Sequence, residues 1–206
     1  MPYNAFTLEQ LKREFSLTVV EAAGTFGAAQ PVPVSQQLKD ALAEGAPLAF
    51  AISTEKARSE LVIAPVLMEV RRQRKGALGL FSGTEFAVDP ARGLTGFCDF
   101  LLSRSPEQLT VEAPVVAVVE AKNENLRGGV AQCVAEMVAA QAFNAARGAD
   151  VRAVYGAVTT GTIWMFLRLV GVRVEIDLRE YFLGDIERVV GVLVAMVSGA
   201  ADVVGA

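Results

Sequence analysis

The spacing of apolar and polar residues divides the N-terminal part of the chain into helical segments. Thr7 and Gln10 stand at the spacing of a capping box, which predicts a short helix over 8–15. A second helix is predicted over 35–43, ending at the Gly-Ala-Pro sequence of 45–47. Both helices precede any clear strand pattern, so a helical N-terminal extension is expected.

The next segments combine an ambiguous apolar run with a longer helix. The run PLAFAI at 47–52 fits either a short strand or a core-facing connector. From 54 to 75 apolar residues recur at helical spacing, and Gly76 follows as the terminating residue. Pro65 lies inside this segment and predicts a kink or a break, because proline removes one backbone hydrogen bond.

The pattern then changes to short extended runs. Two strands are predicted at 78–89 and 94–103, joined through a turn at 90–93. The run APVVAVVEAK at 113–122 is almost continuously apolar and β-branched, which is typical of a central strand covered on both faces. These three runs predict a meander of neighbouring strands.

The C-terminal half alternates again. An alanine-rich helix is predicted from the glycine pair at 128–129 to about 147, followed by strands at 151–160, 162–170 and 173–178. A closing helix begins near Asp185. Three meandering strands and a crossover helix to a fourth give an α/β fold with a mixed sheet and helices on its faces.

The length of 206 residues suits one domain, and 52% apolar with 20% charged residues indicates a folding sequence. Within that single domain, 1–206, we expect an N-terminal helical extension over 1–53 and a core over 54–160. Additional strands and a terminal helix are expected over 161–206.

Composition excludes several classes of chemistry. The chain has no histidine, which rules out Ser-His-Asp and Cys-His catalysis and every His-ligated zinc site. Its net charge of −4 argues against a non-specific nucleic-acid coat, although a local basic groove stays compatible with it. Chemistry is therefore left to carboxylates, lysine and a hard metal ion.

The cysteines and the apolar runs indicate the cellular compartment of the protein. Cys98 and Cys133 lack metal-finger spacing, and two distant cysteines fit a reducing cytoplasm. No signal-peptide pattern opens the chain, and no uninterrupted apolar run reaches about 18 residues. A cytoplasmic protein without a membrane span is the expectation.

Three charged residues occupy apolar strand contexts. Glu120 and Lys122 are two apart at the end of one strand, so their side chains share a face roughly 7 Å apart. Asp99 lies in the preceding strand between apolar neighbours, where a charge is costly unless it is paired or bound to a cation. They form either a compact catalytic site or a buried ion pair with a spare carboxylate.

This set suits phosphodiester cleavage. That reaction needs a hard divalent cation, a positioned water and a positive group near the phosphorus. Asp99 and Glu120 are candidate ligands for Mg²⁺ (or Mn²⁺), and Lys122 is the candidate positive group.

Asp99 followed by Glu120-Ala121-Lys122 resembles the PD-(D/E)XK superfamily, the restriction-endonuclease-like nucleases. The resemblance covers roughly 55–160 and implies an α-β-β-β-α-β core. VVEAKNEN together with GGVAQCVAEMVAAQ is also similar to a group of bacterial restriction-endonuclease-like proteins. Cys98 stands where the superfamily has proline, a departure that leaves the acidic residue in place.

The resemblance also implies roles for residues outside the strands. Glu60 stands on the preceding helix where many members have an accessory acidic metal ligand, and Gln132 stands where many have a glutamine that contacts the site. Gln132 would position Lys122 or the phosphate. Glu136 lies one helical turn after Gln132, on the same face.

The implied function is a Mg²⁺-dependent phosphodiesterase acting on DNA, with Asp99, Glu120 and Glu60 as ligands and Lys122 orienting the nucleophile. The alternative is a catalytically silent protein of the same fold that binds nucleic acid or a protein partner. A purely structural or assembly protein is a third possibility, and it rests on the C-terminal helix alone.

The C-terminal helix, expected over 185–204, has apolar residues on more than one face. We expect a homodimer through this helix, since soluble monomers seldom expose a large apolar patch. A two-fold pair of sites would also suit the two strands of duplex DNA. The alternative is a helix covered on both faces by the N-terminal segments.

Overall fold

The computed structural model describes residues 2–199 and shows an α/β fold with one mixed sheet of eight strands flanked by helices. The strands are β1 (Thr18–Ala22), β2 (Gly79–Glu85), β3 (Phe97–Ser103), β4 (Val115–Ala121), β5 (Val154–Thr159), β6 (Ile163–Val170), β7 (Arg173–Asp177) and β8 (Tyr181–Phe182). The α-helices are α1 (Leu8–Glu14), α2 (Gln36–Ile52), α3 (Glu55–Arg58), α4 (Ala64–Gln73), α5 (Leu126–Ala146) and α6 (Ile186–Ser198).

The strand order in the sheet is β1-β7-β6-β5-β4-β3-β2, with β8 paired to β6. Strands β2, β3 and β4 form an antiparallel meander, and β4 then pairs in parallel with β5. Helix α5 makes the crossover between these parallel strands. The predicted mixed sheet with helices on its faces is confirmed, as is the order of three strands, a helix and a fourth strand.

Strand β4 lies at the centre, and all seven of its residues are buried. Val116 and Val119 belong to a core layer that includes residues of α4 and α6. Val118 belongs to the opposite layer, which includes residues of α5. Coverage on both faces explains why the strand is a continuous apolar run.

Helix α2 corrects the expected end at 45–47. It continues through Pro47 to Ile52, so the PLAFAI run is the last part of a helix and neither a strand nor a connector. Gly45 is buried against the backbone of Leu61, and a Cβ there would lie 2.6 Å from the Leu61 oxygen. The glycine permits close packing of two helical segments and does not end the helix.

The irregularity predicted near Pro65 is a π-helical turn and not a break. This turn, Ser59–Ile63, joins α3 to α4, and the residues on either side of it keep the right-handed helical conformation. Pro65 lies in the first turn of α4, directly after it. Helix α5, in contrast, begins before its glycine pair, because the Asn125 side chain caps it by accepting from the Gly128 N–H.

The N-terminal segment 1–53 is not only helical. Strand β1 pairs in parallel with β7, with Thr18 opposite Arg173, and so belongs to the sheet. Its five residues are too few and too mixed in burial to give a strand pattern in the sequence. A long-range pairing partner stabilises this strand, and local pattern does not reveal such a partner.

Helix α6 is covered by other segments of its own chain. This is the arrangement that was the alternative to a dimer interface. Its apolar residues are buried or half-buried, and the backbone around Gln30 and Pro31 packs so closely on Gly191 that no side chain fits there. The Arg188 guanidinium donates to the Ala29 carbonyl at 2.6 Å. The exposed second face that motivated the homodimer is therefore absent from Ile186–Ser198, and positions 200–204 lie outside the described residues.

None of the helices within residues 2–199 has both the length and the apolar character needed to cross a membrane.

Candidate functional site

The structure brings Asp99, Glu120 and Lys122 together where β3 and β4 end their pairing. The two strands are antiparallel, so the start of β3 lies beside the end of β4. A carboxylate oxygen of Asp99 accepts from the Ala121 N–H at 2.8 Å. The Lys122 ammonium donates to Glu120 Oε1 at 2.5 Å. The three residues that the sequence singles out thus form one linked group.

Lys122 is held in position by its own backbone and by α5. Its N–H donates to the Thr159 carbonyl at 2.8 Å, which keeps the chain extended beyond β4. Its stem lies against Gly129, where a Cβ would be 3.1 Å from Lys122 Cε and 2.7 Å from Val158 Cγ1. Burial would lower the pKa of Lys122, but the hydrogen bond and charge of Glu120 outweigh it, so the pKa lies above its usual value.

Glu120 is 1% exposed, and this burial governs its ionisation. Burial, followed by the negative charge of Asp99, raises the pKa of Glu120 to about 7, against the opposing effect of Lys122. Its Oε2 atom is buried and has no hydrogen-bond partner among residues 2–199. Glu120 therefore has an unsatisfied acceptor in the middle of the cluster.

Two residues of α5 extend the group. Glu136 is completely buried next to Glu120, and its Oε2 atom, like that of Glu120, has no hydrogen-bond partner among residues 2–199. Burial and the charge of Glu120 raise its pKa well above the usual range. Gln132 donates to Glu136 Oε1 at 3.1 Å. Gln132 thus reaches the site through Glu136 and not, as expected, through a contact with Lys122.

The two cysteines pack beside this group. Cys98 and Cys133 are both buried, and burial with the nearby charges of Glu136 and Glu120 raises the pKa of each thiol. Protonated, buried thiols are poor nucleophiles, so these residues are packing groups.

A cleft of about 150 Å³ opens beside Asp99. One side of it is formed by α3 and the π-helical turn, and the other side by the strands. Glu120 and Lys122 do not line it, so Asp99 is the accessible carboxylate and Glu120 the buried one. The lining residues are Glu55, Lys56, Ser59, Ser82, Gly83, Asp99 and Ala121.

Glu60 lies outside this cleft, contrary to the expected position. Its side chain is 59% exposed, pairs with Lys56 at 2.9 Å and lines a separate groove beside α2 and α4. Glu55 takes the predicted place, and its charge contributes to raising the pKa of Lys122. Glu55 and Ser59 are four residues apart on one helical face, a spacing that identifies Glu55 as the cleft-facing acid.

The two carboxylates of this group, Asp99 and Glu120, are the type of donor that hard divalent cations take. Within residues 2–199, no cluster of three or more acidic or cysteine side chains has the spacing to hold a metal ion by itself. Mg²⁺ is commonly bound through one or two carboxylates, with water and substrate phosphates completing its shell. Asp99 and Glu120 supply two carboxylates, and the unpartnered Oε2 of Glu120 supplies a free acceptor.

No protein-family model matches the chain, and neither the curated proteins nor the solved structures contain a match to it.

Proposed function

We propose that this chain is a Mg²⁺-dependent (or Mn²⁺-dependent) phosphodiesterase of the restriction-endonuclease-like type that acts on DNA. The observation that supports it most strongly is the linked group of Asp99, Glu120 and Lys122 beside an open cleft. The element order around the group, from α3 to β5, is the one that the resemblance to these nucleases implies.

Asp99 and Glu120 are the proposed ligands. A divalent cation held there would polarise a phosphate oxygen and lower the pKa of a bound water. Burial of Glu120 strengthens its interaction with any nearby positive charge, because the surrounding dielectric is low. In the structure that charge is the Lys122 ammonium.

Lys122 supplies positive charge for the phosphate and the attacking water. A fixed cation stabilises the negative charge that develops on the phosphate oxygens, and one such donor commonly contributes about 10²–10³ in rate. Packing on Gly129 restricts the lysine stem, which limits the positions that the ammonium reaches. Lys122 is therefore preorganised on one side of the cluster.

The accessory acid is Glu55 in place of Glu60, because Glu55 lines the cleft and Glu60 does not. Gln132 and Glu136 are positioning residues. The Gln132 amide holds the Glu136 carboxyl, and Glu136 in turn contacts Glu120. This chain of contacts fixes the buried carboxylate from the helix side.

The test is cleavage of single- and double-stranded DNA with Mg²⁺ or Mn²⁺ by the full chain. Asp99→Asn is expected to lower the rate at least about 100-fold, as loss of an essential electrostatic group does. Glu60→Gln is the matched control, an equal loss of one negative charge on an exposed residue, and is expected to leave the rate within about twofold. Equal rates for Asp99→Asn and the wild type would refute the assignment.

One observation favours a second candidate, a non-cleaving protein of the same fold that binds nucleic acid. The Glu120 carboxylate already has a partner in Lys122, and no self-sufficient ligand cluster is present in residues 2–199. This candidate predicts DNA binding that Asp99→Asn leaves unchanged and that divalent cations do not alter. Cation-dependent cleavage by the wild type would exclude it.

A further inference from the structure

A second pocket, of about 270 Å³, lies toward the opposite ends of the central strands from the Asp99 cleft. Arg104 follows the end of β3, Arg152 precedes the start of β5, and Arg168 lies on β6. Tyr155 also lines the pocket and is only 6% exposed. Three elements distant in sequence thus bring three guanidinium groups around one concavity, hereafter the arginine pocket.

Positive charge is in excess there. Arg168 pairs with Glu175 at 2.6 Å, whereas Arg104 and Arg152 form no ion pair with any carboxylate in the described part of the chain. Asp150 is the one acidic residue that lines the pocket. The whole chain has a net charge of −4, so its overall electric field does not attract anions. An anion is attracted here by the local cluster of positive side chains.

Arg104 has a hydrogen-bond donor without an acceptor in the described part of the chain, as expected of a ligand-binding group. Its Nε atom is buried and has no hydrogen-bond partner among residues 2–199. Burial, together with the charge of nearby Arg74, lowers the pKa of Arg104. A buried guanidinium N–H without an acceptor is unfavourable, and an oxygen of a bound anion would compensate for that cost.

Tyr155 adds a neutral donor. Burial raises the pKa of its hydroxyl, although the three arginines oppose that shift, so the group stays protonated at neutral pH. A protonated phenol beside guanidinium groups donates to an anion without adding negative charge.

We infer that the arginine pocket binds a phosphate group, with Arg104, Arg152 and Arg168 as its donors. Guanidinium forks match phosphate oxygens in bidentate geometry, which favours phosphate over a spherical anion. The volume of about 270 Å³ lies just under the usual range of small-molecule sites, which suits a phosphate or a compact phosphate ester. The inference does not depend on the proposed nuclease function, because the two sites share no residue.

Two of the three arginines also have a structural role. Arg168 pairs with Glu175, which lies opposite it on the neighbouring strand β7. Arg104 lies at the C-terminal end of α6, where a Cβ on Gly199 would be 2.7 Å from Arg104 Nη1. A cation at that end complements the helix dipole. Arg152 has no ion pair in the described part of the chain, and neither of these roles explains why all three arginines line one pocket.

Isothermal titration of the full chain with inorganic phosphate, pyrophosphate and adenosine monophosphate, without divalent cations, tests the inference. Saturable one-to-one binding is expected for at least one of these probes. Arg152→Gln is expected to weaken it about tenfold or more, and Arg104→Lys likewise, since lysine keeps the charge but loses the fork. Arg13→Gln, which removes an exposed positive charge on α1, is the matched control and is expected to leave the affinity unchanged.

A short oligonucleotide without terminal phosphates distinguishes the sources of the phosphate group. Competition with the small probes would identify the backbone of a nucleic-acid strand as the ligand, and its absence would identify a free phosphate compound. Arg152→Gln keeps the test usable if Arg104 variants lose stability, because Arg152 is exposed. No saturable binding of any probe, or equal weakening by Arg152→Gln and Arg13→Gln, would overturn the inference.

Discussion

The buried carboxyl groups of Glu120 and Glu136 are neighbours between β4 and α5, and each has one oxygen, Oε2, without a hydrogen-bond partner among residues 2–199. Two carboxyl groups this close cannot both ionise without strong repulsion, so the pair shares a proton over part of the pH range. The pKa of Glu136 lies well above its usual value, and that of Glu120 is about 7. Of the two carboxyl groups, only that of Glu120 has a cation beside it, the Lys122 ammonium, which favours its ionised form.

This pair makes stability depend on pH. A carboxyl whose pKa is raised on folding stabilises the protein below its unfolded pKa, and that stability is lost as pH rises through the folded value. For Glu120 the loss falls between about 4.5 and about 7. We expect the free energy of unfolding to decrease by about 2–3 kcal/mol from acidic to neutral pH.

Urea denaturation at several pH values, without divalent cations, measures this slope. Glu136→Gln keeps the shape of the side chain but removes its titrating proton, so a flatter profile is expected. Glu60→Gln is the control and is expected to retain the wild-type slope, because Glu60 is exposed. A Glu136→Gln profile as steep as that of the wild type would contradict the assignment of the carboxyl pair.

Divalent cations are expected to raise the melting temperature and to reverse the loss of stability at neutral pH. Binding to the folded state stabilises it by mass action, by about 2.7 kcal/mol at 100 times the dissociation constant. Affinity is expected to increase as pH rises through about 7, since Glu120 must lose its proton to become a ligand. Thermal melts with Mn²⁺ measure the shift, which Asp99→Asn should abolish and Glu60→Gln should preserve.

Gly129 is expected to be intolerant of a side chain. Gly129→Ala places a Cβ 2.7 Å from Val158 and 3.1 Å from Lys122, which forces the lysine or the strand to move, at a cost of about 1–3 kcal/mol. The neighbouring Gly128→Ala meets only the Asn125 side chain at 3.2 Å and is expected to be neutral or stabilising, because alanine is the better helix former. Denaturant midpoints of the two variants compare them directly, and equal midpoints would show that Lys122 does not depend on this contact.

Leu193 distinguishes a buried helix from an interface helix. It is 1% exposed within a single chain, so Leu193→Ala is expected to cost about 2–5 kcal/mol at any protein concentration. A dimer interface would instead make the loss depend on protein concentration and shift the mass toward the monomer. Light scattering combined with melts at two concentrations separates the two outcomes.

The sequence predicted the centre of the site because β-strands impose a strict alternation. Glu120 and Lys122, two apart in a strand, had to share a face, and Asp99 in the preceding strand could lie beside them. Glu60 was misplaced because the cleft side of this helical segment has Glu55 and Ser59, four residues apart, whereas Glu60 lines the groove beside α2 and α4.

Other features depended on long-range contacts that local pattern does not contain. Helix α2 continues through Pro47, and Gly45 allows that helix to pack closely on Leu61. The arginine pocket is assembled by the sheet from positions as far apart as Arg104 and Arg168, and no spacing in the sequence indicates it.

The Lys122→Met variant tests the central claim most directly. Its rate of DNA cleavage and its Mn²⁺-dependent melting shift are measured under the same conditions. We expect the melting shift to persist, because Asp99 and Glu120 are unchanged, and the cleavage rate to fall at least about 100-fold. A variant that binds the cation and cleaves DNA as fast as the wild type would contradict the proposed phosphodiesterase site.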